Sequence, residues 1–172
     1  MLMPVYDLTM DNVIDALADF IEPLCGTCYQ AQANRVPSYT GQFCILTPIN
    51  VTRIGTTKEE NADTGDNTTA TMGFSEVRQA DIQVDIYGDS AGDRAVALET
   101  VFRSSYATDR LQSINDKVIP LYSTQALQSP FISAEEQWEN RYTITLTIQM
   151  QVTISLQQDY FDAVDLSIEK VN

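Results

Sequence analysis

The most regular pattern in the chain is a strict alternation of apolar and polar side chains over residues 142–156. Because successive side chains of a strand point to opposite faces, this pattern predicts a strand with one apolar face and one uncharged polar face. Such a strand is about 50 Å long, whereas a compact chain of this size is roughly 40 Å across. We therefore expect it either to bend around its own core or to run past that core onto a neighbouring chain.

Residues 80–87 alternate in the same way and predict a second half-buried strand. Pro48 interrupts another apolar region, and because proline cannot donate a main-chain hydrogen bond we expect it at an edge, a bulge or a strand end. Further strands are predicted at residues 27–33, 42–47, 51–55, 118–122 and 166–171.

Apolar residues at helical spacing predict a first helix over about residues 10–22. Thr9 is expected to cap its N-terminus through its side-chain oxygen. Pro23 and Gly26 are expected to end it, because proline breaks the hydrogen-bond pattern and glycine adopts the conformation of a helix end.

Two more helices are predicted in the middle of the chain. Ser90 is expected to cap the first of them, with Asp93 in the capping-box position, and residues 106–115 form the second. Together these elements predict an α+β fold for a single domain, residues 1–172. We expect a mixed, mainly antiparallel β-sheet flanked by two or three α-helices, with a long C-terminal strand and an extended hairpin loop.

A polar tract at residues 56–69 has no large apolar side chain to bury, and we expect a flexible hairpin tip over about residues 56–75. Its acidic residues do not have the spacing of a helix–loop–helix calcium site. We predict instead that this loop contacts a partner protein. The residues expected to make that contact are Lys58, Glu59, Glu60, Asp63 and Asp66.

The composition narrows the possible functions. With 24 acidic and 10 basic residues the formal charge is −14, which argues against tight nucleic-acid binding because phosphate contacts need clustered Lys and Arg. The absence of histidine removes the commonest general base and the commonest metal ligand. Three cysteines make no complete disulfide set, and neither a signal peptide nor a membrane span is recognisable. We therefore expect a soluble protein that is made inside the cell and has no membrane partner.

Cys25 and Cys28 form a Cys-x-x-Cys pair, the one pattern that resembles catalytic chemistry. Redox pairs of this kind stand at a helix N-terminus, where the dipole lowers the thiol pKa, whereas this pair follows the end of a helix. Cys44 could supply a third zinc ligand, but no fourth is apparent. Buried cysteines that act as small hydrophobic residues are the simpler interpretation, and a thiol oxidoreductase using Cys25 and Cys28 is the alternative.

A series of segments resembles the neck or tail terminator proteins of tailed phages, in the order that this family has them. The segments are residues 32–37, 43–48, 53–56, 83–88, 102–103, 106–107, 120–122, 130–132 through 139–142, 157–158 and 160–161. The resemblance implies an α+β domain that forms a hexameric ring, caps the tail tube, stops its polymerisation and joins it to the neck below the head. It implies no enzyme and no cofactor, assembly in the host cytoplasm, and a place in the virion with genomic DNA passing through the channel without tight binding.

The partners implied by the resemblance are sister copies in a homo-hexamer, the tail tube protein, neck or head-completion adaptor proteins and the sheath protein. We expect the polar face of the long strand to meet a sister chain, with main-chain hydrogen bonds across the interface. Trp138, the only tryptophan, lies among charged residues before this strand, a setting typical of an interface anchor and equally of a core residue. The predicted interface residues are Trp138, Arg141, Tyr142, Thr143, Thr145, Thr147, Gln149 and Gln151.

The high negative charge fits a channel that repels DNA. Six copies carry about 84 formal negative charges, and some of these could line a channel in which a duplex slides without sticking. Another head-completion or tail component of the virion is the alternative within the same class. A domain that binds a small molecule is a further alternative, although no cluster of residues points to a ligand.

Overall fold

The computed structural model describes residues 3–31, 39–62, 70–132 and 138–157. The helices of this part of the chain are α1 (Met10–Cys25), α2 (Ala91–Phe102) and α3 (Ser105–Ile114). Its strands are β1 (Val5–Tyr6), β2 (Thr27–Gln30), β3 (Phe43–Arg53), β4 (Lys58–Ala62), β5 (Thr71–Tyr87), β6 (Val118–Ser123), β7 (Leu127–Gln128), β8 (Phe131–Ile132), β9 (Trp138–Glu139) and β10 (Arg141–Gln157).

Within the described residues, eight strands form one mixed sheet whose central pair is β5 and β10. These two strands run antiparallel and pair residue for residue, from Tyr87 opposite Arg141 to Thr71 opposite Gln157. β3 and then the parallel strand β2 extend the sheet beyond β5, whereas β6, β7 and β1 pair with the other edge of β10. β4 pairs with the far end of β5, and β8 pairs separately with β9. The predicted α+β class with a mainly antiparallel sheet is confirmed.

We call the half of the sheet that contains Tyr87 and Arg141 the near half, and the half that contains Thr71 and Gln157 the far half. The three helices pack on one face of the near half, and this contact forms the core. Ile144, Leu146 and Ile148 of β10 are fully buried there, together with Ile82 of β5 and Leu17 of α1. Because side chains alternate along a strand, the residues between them point to the opposite side. We call the covered side the helix face and the opposite side the open face.

Beyond Met150 the two long strands continue past the helices as a paired ribbon. None of residues 151–157 is fully buried, in contrast to Ile148 and the alternate residues before it. β4 pairs along one edge of this far half and β1 along the other. The long strand therefore runs past the helix-covered core, which is one of the two outcomes expected from its length. Within the described residues, it pairs there with strands of its own chain.

α1 begins where the sequence predicts and ends later. The Thr9 hydroxyl accepts from the N–H of Asn12 at 3.3 Å, and the Asn12 side chain accepts from the N–H of Thr9 at 3.0 Å, which confirms the predicted cap. Pro23 lies inside the helix, so the prediction that it ends the helix was wrong. A proline near the last turn removes a single main-chain hydrogen bond, and the helix continues past it to its end, where the N–H of Gly26 donates to the carbonyl of Glu22 at 3.1 Å.

Two other predicted boundaries are corrected by the structure. Ser90 has a left-handed backbone, with φ of 56°, and its side chain makes no capping hydrogen bond, so the predicted capping box is absent. The polar tract predicted as a loop contains β4, which pairs with a β5 that begins at Thr71 instead of residue 80. Main-chain pairing forms this hairpin, since all five β4 side chains are exposed. Residues 63–69 and the strand predicted at 166–171 lie outside the described residues.

Asp7 holds the N-terminal strand to the sheet. One of its carboxylate oxygens accepts from the N–H of Thr153 at 2.6 Å, and the other accepts from the ammonium of Lys117 at 2.7 Å. Burial by itself raises the pKa of Asp7, but the hydrogen bonds from Lys117 and Thr153 outweigh it and hold the pKa below its ordinary value of 3.8. The carboxylate therefore contributes stability above pH 3.8, and this contribution is lost as the pH falls through the lower pKa of the folded state.

Asp7→Asn is expected to loosen β1, because an amide presents one acceptor where the carboxylate presents two. We expect the substitution to lower the free energy of unfolding by roughly 1 kcal/mol at neutral pH, since the ion pair is partly exposed. Amide hydrogen exchange at residues 5–7 should accelerate in the variant. Below pH 3.8 the stability of the variant should fall less steeply with decreasing pH than that of the wild type. Asp116→Asn, at an exposed turn residue, is the matched control, and equal exchange in the two variants would contradict this role of Asp7.

Candidate functional site

The open face carries the polar side chains of the long strand in one row. Thr143, Thr145, Thr147, Gln149 and Gln151 occupy every second position of β10. Their partners on β5 are also polar up to the far half, in the order Asp85, Gln83, Asp81 and Gln79. None of the three described helices packs on this side, since their contacts are with the buried side chains of the helix face. The open face is thus an extended polar surface on a rigid scaffold.

Two aspartates organise a hydrogen-bond network on this face. Asp85 accepts from the hydroxyl of Thr143 at 2.5 Å and from the side-chain amide of Gln83 at 2.8 Å. Asp81 accepts from the hydroxyl of Thr147 at 2.7 Å and from a side-chain amide of β3 at 3.3 Å. Cross-strand pairs of this kind fix side-chain rotamers. A partner that binds here therefore meets a surface that is already ordered, which reduces the entropy lost on binding.

The centre of the open face is negative. Arg53 and Arg78, which pair across β3 and β5, point to the helix face, because Arg78 lies opposite Met150. Arg141 shares the open face but lies at its near end, opposite Tyr87. In the described parts of β3, β5 and β10, Arg141 is the one cationic side chain that shares this face with Asp81 and Asp85.

The main-chain edges of β10 are occupied within the chain. β5 pairs along one whole edge, and β6, β7 and β1 pair with parts of the other. Between β6 and β1, the N–H of Gln151 donates to the carbonyl of Lys117 at 3.2 Å, and the N–H of Thr153 donates to Asp7. The prediction that this strand pairs with sister chains through main-chain hydrogen bonds was therefore wrong. Any contact of its polar row with another chain has to use side chains.

The predicted interface residues divide between the two faces. Arg141 shares the open face with the Thr and Gln row and donates through Nε to the carbonyl of Ser129 at 3.0 Å. Tyr142 is on the helix face, beneath the start of α2, where its ring would lie 2.9 Å from a Cβ added at Gly92. The side chain of Trp138 lies outside the described part of the chain. Tyr142 cannot belong to a surface formed by the open face, and the interface role of the others stays a prediction.

Part of the predicted partner-contacting loop is visible as strand β4. Lys58, Glu59 and Glu60 have exposed side chains, and Lys58 forms an ion pair with Glu60. Asp63 and Asp66 lie outside the described residues. Partner contact by these five residues stays a prediction.

An apolar border beside the polar row was not predicted. Ile119, Tyr122 and Leu127, from β6 and β7, pair opposite the Thr and Gln row. Their side chains are 38%, 54% and 64% exposed. Exposed aromatic and branched residues next to a polar surface are typical anchors of protein contacts. The two strands are short and a bulge breaks the register of β6, so the sequence pattern does not show which of their residues share the open face.

The three cysteines meet where α1 joins β2 and β3. Cys28 lies opposite Cys44 across these parallel strands, and the thiol of Cys44 donates to the carbonyl of Cys25 at 3.5 Å. A hydrogen bond with Cys44 and burial raise the pKa of Cys25 far above its ordinary value. The contact with Cys25 lowers the pKa of Cys44, but the contact with Cys28 and burial outweigh it and raise the pKa to about 12. Redox nucleophiles need a lowered thiol pKa, so Cys25 and Cys44 are better interpreted as buried hydrophobic residues, with Cys28 half-buried beside them.

Other kinds of site find little support in the described residues. They contain no group of three or more His, Cys, Asp or Glu side chains that could hold a metal ion. No described helix combines the length and the apolar character that crossing a bilayer requires. The open face, with its ordered polar groups and apolar border, is suited to contact with another macromolecule.

Comparison with known proteins agrees with the resemblance seen in the sequence. The family described as phage neck terminator protein matches residues 11–172, which include nearly all of α1 and every described element from β2 onward. No curated protein matches the sequence. The chain therefore belongs to the phage neck terminator family, typically non-enzymatic, and is a structural protein of the virion neck that contacts other neck and tail proteins.

Proposed function

We propose that six copies of this chain form a ring that caps the tail tube and joins it to the head–neck connector. The proposal starts from membership of the neck terminator family. One structural observation carries it further: the polar row of β10 lies on a sheet face on which no described helix packs. A closed ring requires a heterologous interface, in which one surface of a subunit meets a different surface of the next. The open face supplies the first of these surfaces.

The chemistry of the open face supports burial against a neighbouring subunit. Asp85 is already buried within its own chain, and both Asp81 and Asp85 accept hydrogen bonds from side chains of their own sheet, so covering this face leaves neither carboxylate without a partner. The apolar border of Ile119, Tyr122 and Leu127 supplies hydrophobic surface that a neighbour can desolvate. Side-chain contacts of this kind replace the main-chain pairing that the occupied edges of β10 exclude.

Genomic DNA would pass through the centre of such a ring. A ring of six chains carries about 84 formal negative charges, and a negative channel wall repels phosphates and so allows a duplex to slide. Lys and Arg are too few to release many counterions, which agrees with passage without tight binding.

The hairpin of β4 and the start of β5 is the part of the chain proposed to contact the tail tube, the sheath or a neck adaptor. β4 is an edge strand with exposed charged residues, and charges on an edge discourage unselective strand pairing. We assign Lys58, Glu59 and Glu60, with Asp63 and Asp66 beyond them, to this contact.

Gln149→Glu tests the interface, because it preserves the shape of the side chain and adds one charge to the middle of the polar row. An unpaired carboxylate buried between subunits costs about 3 kcal/mol, so ring assembly on purified tail tubes should weaken roughly 100-fold. Electron microscopy of the tube ends and sedimentation velocity both report it. The same substitution at an exposed position of α3, Gln112→Glu, should leave assembly unchanged.

The results separate the interface from the function. If Gln149→Glu caps tubes as well as the wild type does, the interface lies elsewhere, although the ring is not excluded. If labelling of intact virions places the chain away from the junction of tube and neck, the capping function is wrong and another head-completion or tail role takes its place.

A further inference from the structure

The helix face carries an apolar groove in the far half of the sheet, where the helices no longer cover it. The groove has a volume of about 470 Å³ and continues the line of the core past the first turn of α1. Its lining includes Leu8, Met10, Phe74, Met150, Val152 and Ile154. We call it the distal groove.

The floor of the distal groove is apolar like the core, but the described residues cover it only in part. Ile148 is fully buried beneath the helices, whereas Val152 and Ile154, on the same face of the same strand, are only half-buried. Soluble proteins rarely leave a contiguous apolar surface of this kind exposed without a partner for it.

At the rim of the groove Arg78 and Glu76 are part of the lining, and Arg53 lies just outside it on the other side of Glu76. Glu76 accepts from Arg78, with 2.7 Å between the nearest nitrogen and oxygen, and it lies 4.0 Å from a guanidinium nitrogen of Arg53. Two guanidinium groups therefore share one carboxylate, and the side chain of Arg53 is 63% exposed. An occupant with apolar side chains and at least one acidic group would match both the floor and the rim.

The C-terminal segment of the chain, residues 158–172, has this chemistry. Its sequence places Asp159, Asp162, Asp165 and Glu169 among apolar residues, which are Tyr160, Phe161, Val164, Leu166, Ile168 and Val171. The segment starts directly after Gln157, the last residue of β10. β10 needs about 24 Å to run from Met150 to that point, whereas 15 extended residues reach about 50 Å.

We propose that the distal groove is the docking site of the chain's own C-terminal segment. The segment turns back after β10, inserts apolar side chains between α1 and the far half of the sheet, and presents a carboxylate to Arg53 and Arg78. The tether favours the segment of the same molecule over that of another copy, because it keeps the local concentration of the segment high. The inference does not rest on the ring, since the distal groove and the open face are on opposite sides of the sheet.

Methionine methyl signals provide a direct test in the full-length chain. Met10 and Met150 line the groove, whereas Met3 is 88% exposed and lies outside its lining. With ¹³C-labelled methionine methyl groups, Leu166→Asp should shift the Met10 and Met150 resonances and leave that of Met3 in place. Ser167→Asp adds the same charge at the neighbouring residue, where no apolar side chain is lost, and should shift neither. Ile168→Asp is the second test variant and should act as Leu166→Asp does.

Two results would overturn the proposal. Unchanged Met10 and Met150 resonances in both Leu166→Asp and Ile168→Asp would show that this segment does not occupy the groove. A second result concerns the origin of the occupant: if unlabelled wild-type chain restores the wild-type resonances of labelled Leu166→Asp chain, the occupant comes from another copy. Restored resonances would rule out an occupant from the same molecule. If the resonances stay shifted when wild-type chain is added, the assignment to the same molecule is supported.

Discussion

Leu146→Ala is expected to lower the free energy of unfolding by about 4 kcal/mol. Leu146 is fully buried at the centre of the helix face. Its strand is held on both edges at this point, by Ile82 of β5 and by Ser123 of β6. Because the backbone cannot easily move into the space left by the side chain, the cavity should persist, and the cost should lie in the upper part of the range for such substitutions.

Chemical denaturation followed by circular dichroism measures this loss. Leu127→Ala is the matched control, since Leu127 is also in a strand of the same sheet but is 64% exposed. The control should change the free energy of unfolding by less than about 0.5 kcal/mol. Similar midpoints for the two variants would mean that the helix face is not the core of the fold.

Arg94→Met is expected to cost about 3 kcal/mol, because several main-chain carbonyls lose one charged donor group. The guanidinium of Arg94 donates to the carbonyls of Cys25, of Tyr87 at 2.6 Å and of Asp89 at 3.0 Å. These carbonyls belong to the end of α1, the end of β5 and the turn before α2. Methionine keeps most of the apolar stem but donates nothing, so the three segments lose their common link.

Arg94→Lys separates charge from geometry in this cluster. A single ammonium cannot reproduce the planar fork of a guanidinium, so we expect lysine to recover about half of the lost stability. Arg110→Met, on the exposed surface of α3, should lie within about 0.5 kcal/mol of the wild type. Thermal and urea unfolding report all three, and full stability of Arg94→Met would show that the link is dispensable.

Local periodicity was enough to predict the elements whose own side chains define a face. β10, the near half of β5 and α1 each repeat at the period of their structure, and Thr9 supplies a capping oxygen beside the first turn. The same alternation puts the Thr and Gln row on one surface, since a regular strand leaves no choice of face. These are cases in which neighbouring residues contain the information.

Features that depend on distant partners were not predictable. The far half of β5 includes Gly73, Glu76 and Arg78 and has no clear alternation, so its strand character becomes apparent only beside β10. Strand β4 is exposed on every side chain and exists through main-chain pairing. The occupied edges of β10 depend on short strands that lie far apart in the sequence. The hydrophobic pattern of a segment indicates which of its side chains are buried. It does not indicate which edge of a sheet a short segment joins.

The ladder between β5 and β10 also constrains the order in which the protein folds. Tyr87 and Arg141, at the near end, are 54 residues apart in sequence, whereas Thr71 and Gln157, at the far end, are 86 residues apart. Each successive pair closes a longer loop, and pairs of high contact order form slowly. The chain is therefore expected to zip from the helix-covered end outward, so that the far end is completed last and opens first.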